Sequence, residues 1–163
     1  VGAGEILIVN ILFSIYNYLL MIYSLVYLIL NRKKINIKIA VIYISILLCG
    51  LSGIMMGVFP QEPRGESVSI KGIMHFVFAG MAALTTMLVT ILSWINYKKV
   101  NKGYSIYSLT CFVIIFSSGL GNVILMNNGI GSFFGLIERI TIGTFILWLF
   151  VTAYLKYKEK INI

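Results

Sequence analysis

The residues that could do chemistry are concentrated in one polar stretch of a largely apolar sequence. Residues 57–76 read GVFPQEPRGESVSIKGIMHF and contain both prolines and the only histidine of the 163-residue chain. Lys71 and His75 lie four residues apart, so a helix would place them on one face. A half-buried histidine in such a position can bind a polar ligand or handle a proton. The alternative is a histidine that only makes a hydrogen bond at a helix end.

A second pair of charged residues, Glu138 and Arg139, falls at the start of the last apolar segment. Charge inside a membrane is costly unless it is paired or hydrated, which makes such residues functional candidates. Adjacent helical residues point about 100° apart, so one of the two can face a helix bundle while the other faces another helix or the headgroups. An ion pair of Arg139 with Glu138, Glu62 or Glu66 is the purely structural alternative.

The composition indicates that membrane-spanning helices position these residues. The mean hydropathy of +0.98 and the 11% of charged residues differ sharply from soluble domains, in which roughly a quarter of residues are charged. About 20 apolar residues span a bilayer as a helix, and five runs reach that length: 5–30, 38–58, 70–97, 104–127 and 133–156. The runs lack the alternation of strands. We therefore predict an all-α fold, a single transmembrane domain over residues 1–163 with five spans and short loops.

The distribution of charge predicts the orientation of the chain. Ten of the thirteen basic residues fall in three clusters between or after the apolar runs: Arg32, Lys33, Lys34 and Lys38; Lys98, Lys99 and Lys102; Lys156, Lys158 and Lys160. The positive-inside rule places these clusters on the cytoplasmic side of a multi-pass cell-membrane protein. The N-terminus of the chain and residues 57–76 then lie outside, and the C-terminus is cytoplasmic. Short basic loops of this kind do not indicate nucleic-acid binding, and membrane lipids are the predicted partners.

The sequence predicts no metal site and no cofactor. Cys49 and Cys111 fall inside apolar runs, and neither belongs to a CxxC motif or a Cys/His cluster. A single histidine excludes a bis-histidine haem. There is also no Gly-x-Ser-x-Gly or His-Glu-x-x-His motif, which makes an enzyme less favoured than a binding protein.

Small and polar residues within the runs predict how the helices pack. Asn10, Ser14 and Asn17 recur at helical spacing and form one polar stripe. The small residues Ala79, Gly80, Ala82 and Ala83, and those within residues 117–122 (SSGLGN), allow helices to approach closely in lipid. Asn17 and Asn122 carry amides that need hydrogen-bond partners in hydrocarbon.

Three motifs resemble a known family. They are Gly57-x-Phe59-Pro60-x-Glu62 before a span, His75 near the start of that span, and Gly135-x-x-Glu138-Arg139 opening a later span that contains Trp148. Together they resemble domain-of-unknown-function family 998, a group of archaeal and bacterial multi-span membrane proteins without an established activity. The resemblance implies six spans, of which the chain would show the last five. It implies that the site positions are Pro60, Glu62, His75, Glu138 and Arg139.

Three classes of function remain open at this point, besides a less favoured fourth, a transporter. In the favoured one, a binding or accessory module, five side chains converge on an outer-face pocket for a lipid headgroup or small polar ligand: Glu62, Lys71, His75, Glu138 and Arg139. In the second, the chain is a structural subunit of a larger membrane complex, and other membrane subunits are its partners. In the third, it is a lipid-modifying enzyme that uses His75 as a base or Glu138 as an acid.

Overall fold

The structure, a computed structural model, describes residues 3–61, 69–127 and 134–158. These residues form five helices and no strand: α1 (Ala3–Asn31), α2 (Ile37–Val58), α3 (Ile70–Tyr97), α4 (Lys102–Asn127) and α5 (Phe134–Tyr157). Every helix end lies within two residues of its predicted position. The predicted all-α fold with five helices is confirmed.

All five helices are long and apolar enough to cross a membrane. Exposed large hydrophobic side chains occur along every one of them, as expected where lipid replaces water as the solvent. The chain is a multi-pass membrane protein. Its orientation, and the cell membrane as its location, stay predictions.

Side-chain caps begin three of the helices. The Asn36 side chain accepts a hydrogen bond from the amide of Lys38 (2.9 Å) at the start of α2. The Ser69 hydroxyl accepts from the amide of Lys71 (3.1 Å) at the start of α3. The Asn101 side chain accepts from the amide of Tyr104 (3.0 Å) at the start of α4. Such caps satisfy amides that have no partner within the helix.

The chain divides into two compact units, Val1–Thr85 and Thr86–Ile163. In the first unit α1 packs against α2, and in the second α4 packs against α5. Helix α3 runs across the boundary and contributes its first half to one unit and its second half to the other. The single-domain organisation stays a prediction.

Two glycines of α2 allow α1 and α2 to approach closely. A β-carbon at Gly50 would lie 2.8 Å from the backbone oxygen of Asn17 and 2.9 Å from Cγ of Met21, and one at Gly53 would overlap the Asn17 side chain. Asn17 is only 2% exposed, and its Nδ2 donates to the carbonyl of Phe13 (2.8 Å). The amide that the sequence marked as needing a partner is therefore satisfied within its own helix.

Candidate functional site

His75 joins the beginning of α3 to the end of α2. Its Nδ1 lies 2.7 Å from the backbone carbonyl oxygen of Phe59. A carbonyl oxygen only accepts hydrogen bonds, so Nδ1 must carry the hydrogen. In the neutral imidazole, Nε2 is then the nitrogen with a free lone pair, and it can accept a hydrogen bond from another group.

The Phe59 carbonyl is available because α2 ends there. The Phe59 amide still donates to the carbonyl of Met55 (2.9 Å), but its backbone leaves the helical region, with φ −114° and ψ 80°. Pro60 disfavours the helical conformation for the residue before it and has no amide to extend the helix. The Phe59 ring also stacks against that of Phe78, with 5.9 Å between ring centroids. The Phe-Pro motif and the histidine thus form one local structure.

The other predicted residues near His75 differ in their surroundings. Lys71 is exposed and lies one turn before His75 on α3. Pro60 is exposed at the end of α2. Gly57 is also exposed, with no atom within 4 Å of the place a β-carbon would take, so no close packing there requires glycine. Glu62 lies outside the described residues.

Glu138 and Arg139 occupy the first turns of α5, and both are exposed. Arg139 Nη1 lies 3.5 Å from the carbonyl oxygen of Gly135, one turn earlier, to which it donates a long hydrogen bond. Within the part of α5 that the structure describes, Arg139 makes this contact and no ion pair with Glu138. Pairing with Glu62 or Glu66 would involve residues outside the described ranges.

The predicted site residues therefore belong to two units. Lys71 and His75 lie in the first unit, and Glu138 and Arg139 lie in the second. Their convergence on one pocket stays a prediction. Over residues 3–61, 69–127 and 134–158, no group of three His, Cys, Asp or Glu side chains could hold a metal ion, and both cysteines are free and buried.

A buried polar network in the second unit was not found from the sequence. The Trp148 Nε1 donates to the Ser108 hydroxyl (3.0 Å), and the Thr152 hydroxyl donates to the Trp148 carbonyl (2.7 Å). Because Thr152 uses its one hydroxyl hydrogen in this bond, the Tyr104 hydroxyl is the donor in its contact with Thr152 Oγ1 (2.8 Å). The spacing of these residues could have indicated the network. Tyr104 and Ser108 are four residues apart and share a face of α4, and Trp148 and Thr152 share a face of α5 in the same way.

A second link between α4 and α5 lies farther along the same two helices. The Ser118 and Thr141 hydroxyls are 2.6 Å apart, so one donates to the other. The hydroxyl that accepts is free to donate to a carbonyl of its own helix, Ile115 for Ser118 (2.9 Å) or Ile137 for Thr141 (3.2 Å). Asn122 follows Ser118 by one turn, and its buried Oδ1 has no hydrogen-bond partner among the residues described. Of the two amides marked by the sequence, Asn17 is satisfied and Asn122 is not.

Comparison with known proteins identifies a family for this chain. The chain matches neither a curated protein nor a solved structure. The family described as "Protein of unknown function (DUF998)" matches residues 8–155, which include both His75 and the Glu138–Arg139 pair. This match confirms the family that the motifs suggested, and it covers most of the chain. The chain belongs to the DUF998 family.

Proposed function

We propose that the chain is a binding or accessory membrane protein that binds the polar group of a lipid at His75, beside the end of α2. The observation that carries this proposal is the hydrogen bond from His75 Nδ1 to the Phe59 carbonyl. It fixes the tautomer of the imidazole and leaves Nε2 as an acceptor. A histidine oriented by a second group in this way is prepared to bind a hydrogen-bond donor.

The neighbouring residues define the chemistry of the ligand. Lys71 is exposed, and its ammonium group attracts a phosphate. Residues four apart on a helix have their β-carbons about 5–6 Å apart, so one headgroup can reach both Lys71 and His75. The exposed side chains of Phe76 and Val77 are available to contact acyl chains. The ligand class is therefore a phospholipid headgroup that carries a donor, either an ammonium or a hydroxyl group, beside its phosphate.

Three phospholipids test this assignment. Phosphatidylethanolamine and phosphatidylglycerol have both a phosphate and a donor, whereas phosphatidylcholine has the phosphate alone. We expect native mass spectrometry of the protein released from mixed nanodiscs to show retention of the first two in preference to phosphatidylcholine. One hydrogen bond corresponds to a preference of about two- to tenfold.

Two variants separate binding from folding. His75→Asn keeps a donor near the position of Nδ1 and loses the Nε2 acceptor, so the protein should stay folded and lose its lipid preference. His75→Ala loses both groups and should also be less stable. Retention of all three lipids in equal amounts by the unmodified protein would contradict the proposal. A stoichiometric protein partner with no retained lipid would favour the structural-subunit alternative.

A further inference from the structure

Two buried polar atoms near the end of α3 have no hydrogen-bond partner in the described part of the chain. They are Oγ of Ser93, whose side chain is 0% exposed, and Nδ2 of Asn96. A buried polar atom without a partner costs about 1–3 kcal/mol, so native proteins seldom leave one unsatisfied. Two such atoms one turn apart on the same helix indicate that a further molecule completes the site.

The Ser93 hydroxyl differs from the other buried hydroxyls of the helices. Most of these donate to a carbonyl of their own helix, as Ser24 does to Leu20 (2.8 Å) and Thr90 to Thr86 (2.9 Å). The same pattern is seen at Ser45, Ser52, Thr85 and Thr152. Ser93 makes no such bond, so its hydroxyl remains available for another partner.

The surroundings of Ser93 are polar and closely packed within the second unit. The Ser105 hydroxyl donates to the Trp94 carbonyl (2.9 Å) and fastens α4 to α3 at this level. The Tyr104 hydroxyl lies close to the hydroxyls of Ser93 and Ser108. The site thus has donors and acceptors on two helices, beside the Trp148 network.

We propose that one internal water molecule bridges Ser93 Oγ and Asn96 Nδ2. Side chains three residues apart on a helix have β-carbons about 5–6 Å apart. Side chains that begin this close together can bring Oγ and Nδ2 within reach of one water, which bridges atoms up to about 5.6 Å apart by two hydrogen bonds of about 2.8 Å. Buried waters commonly make about three hydrogen bonds, and the hydroxyls of Tyr104 and Ser108 are the available third partners. Water is the smallest molecule that both donates and accepts, as this pair of groups requires.

The effect of Ser93→Ala on thermal stability tests the proposal by its sign. If water occupies the site, the substitution removes one of its partners, and Tm falls by about 2–4 °C. If the site is dry, the substitution removes an unsatisfied hydroxyl, and Tm rises. Ser24→Ala is the matched control, because Ser24 is equally buried and bonded to its own helix. A Tm of Ser93→Ala equal to or above that of the unmodified protein would overturn the proposal, and Ser24→Ala shows the loss expected from deleting a buried hydroxyl that has a partner.

Water-edited solid-state NMR in proteoliposomes tests the same site in the unmodified protein. We expect magnetisation transfer from water protons to the side-chain amide of Asn96. The side-chain amide of Asn17 is the dry control, because it is buried and donates to the Phe13 carbonyl. If transfer to Asn96 is no stronger than transfer to Asn17, the proposal is overturned. This result does not depend on the Tm or the folding of Ser93→Ala.

Discussion

The two helix pairs of this protein, α1 with α2 and α4 with α5, are held together in different ways. Between α1 and α2, the glycines at positions 50 and 53 leave no room for a β-carbon, and the rings of Tyr27 and Tyr43 stack with centroids 3.7 Å apart. Between α4 and α5, hydrogen bonds cross from side chain to side chain at Trp148–Ser108, Tyr104–Thr152 and Ser118–Thr141. The first pair combines close backbone approach with the part-buried Tyr23–Tyr43 hydrogen bond (3.1 Å), and the second pair depends mainly on polar contacts.

Both ways of holding helices together follow from the solvent. Lipid tails are as apolar as leucine side chains, so burial of apolar surface gives helices little reason to associate in a membrane. Van der Waals contact between close backbones and interhelical hydrogen bonds remain as driving forces. The glycines of α4 and α5 fit this division, because a β-carbon would have room at each of them. The nearest atom would be 3.5 Å away at Gly119 and 3.7 Å away at Gly121, and at Gly143 no atom would lie within 4 Å.

The largest expected effect comes from adding a methyl group to α2. Gly50→Ala places a β-carbon against the Asn17 backbone, and overpacking of this kind costs about 1–3 kcal/mol. The Gly121→Ala control has space for its methyl group, and alanine favours helix by about 1 kcal/mol over glycine. Thermal unfolding in detergent should show a lower Tm for the first variant and an equal or higher Tm for the second. Equal losses in both variants would remove the distinction between the two helix pairs.

An intermediate effect on stability is expected from deleting one hydroxyl group in each helix pair. Tyr104→Phe removes a buried donor to Thr152, whereas Tyr23→Phe removes a 3.1 Å contact with Tyr43 from a side chain that is 40% exposed. Hydrogen bonds between membrane helices average about 0.6 kcal/mol and reach about 1.7 kcal/mol. We expect Tyr104→Phe to fall near the upper value and Tyr23→Phe near zero. A reversed order in denaturant titrations would show that the polar network does not hold α4 to α5.

The smallest effect is expected at the charged pair on α5. Arg139 is exposed and makes one long hydrogen bond to Gly135, so Arg139→Gln should change stability by no more than about 0.5 kcal/mol. His75→Ala should destabilise more, because it breaks a 2.7 Å bond between the ends of two helices. Comparison of the two variants by Tm distinguishes a residue that fastens helices from one that does not. An equal loss of Tm in both would contradict this distinction.

The sequence was sufficient to predict the helices and their ends. Long apolar runs, the proline after Phe59 and the polar turns give direct physical limits on where a helix can exist. The family motifs also identified the segment around His75. Its role in joining α2 to α3 could not be predicted, because the choice of the Phe59 carbonyl as partner depends on how one helix lies against the next.

Packing was harder to predict from residue types alone. The small residues of SSGLGN in α4 indicated close packing, but the glycines that the structure requires are Gly50 and Gly53 of α2. Glycine in a span is compatible with close approach without requiring it, and only the neighbouring helix decides. Likewise, Trp148 was noted as part of a motif, and its bond to Ser108 became visible only when the two helices were brought together.

The protonation pattern of His75 tests the proposed lipid site most directly. The chain has one histidine, so nitrogen-15 histidine labelling gives a solid-state NMR spectrum of this residue alone. In the neutral imidazole, we expect Nδ1 to carry the hydrogen and Nε2 to carry none. We also expect the Nε2 signal to move when phosphatidylcholine is replaced by phosphatidylethanolamine. A hydrogen on Nε2 with none on Nδ1 would contradict the hydrogen bond to the Phe59 carbonyl, and an Nε2 signal that does not change with the headgroup would contradict the proposed lipid site.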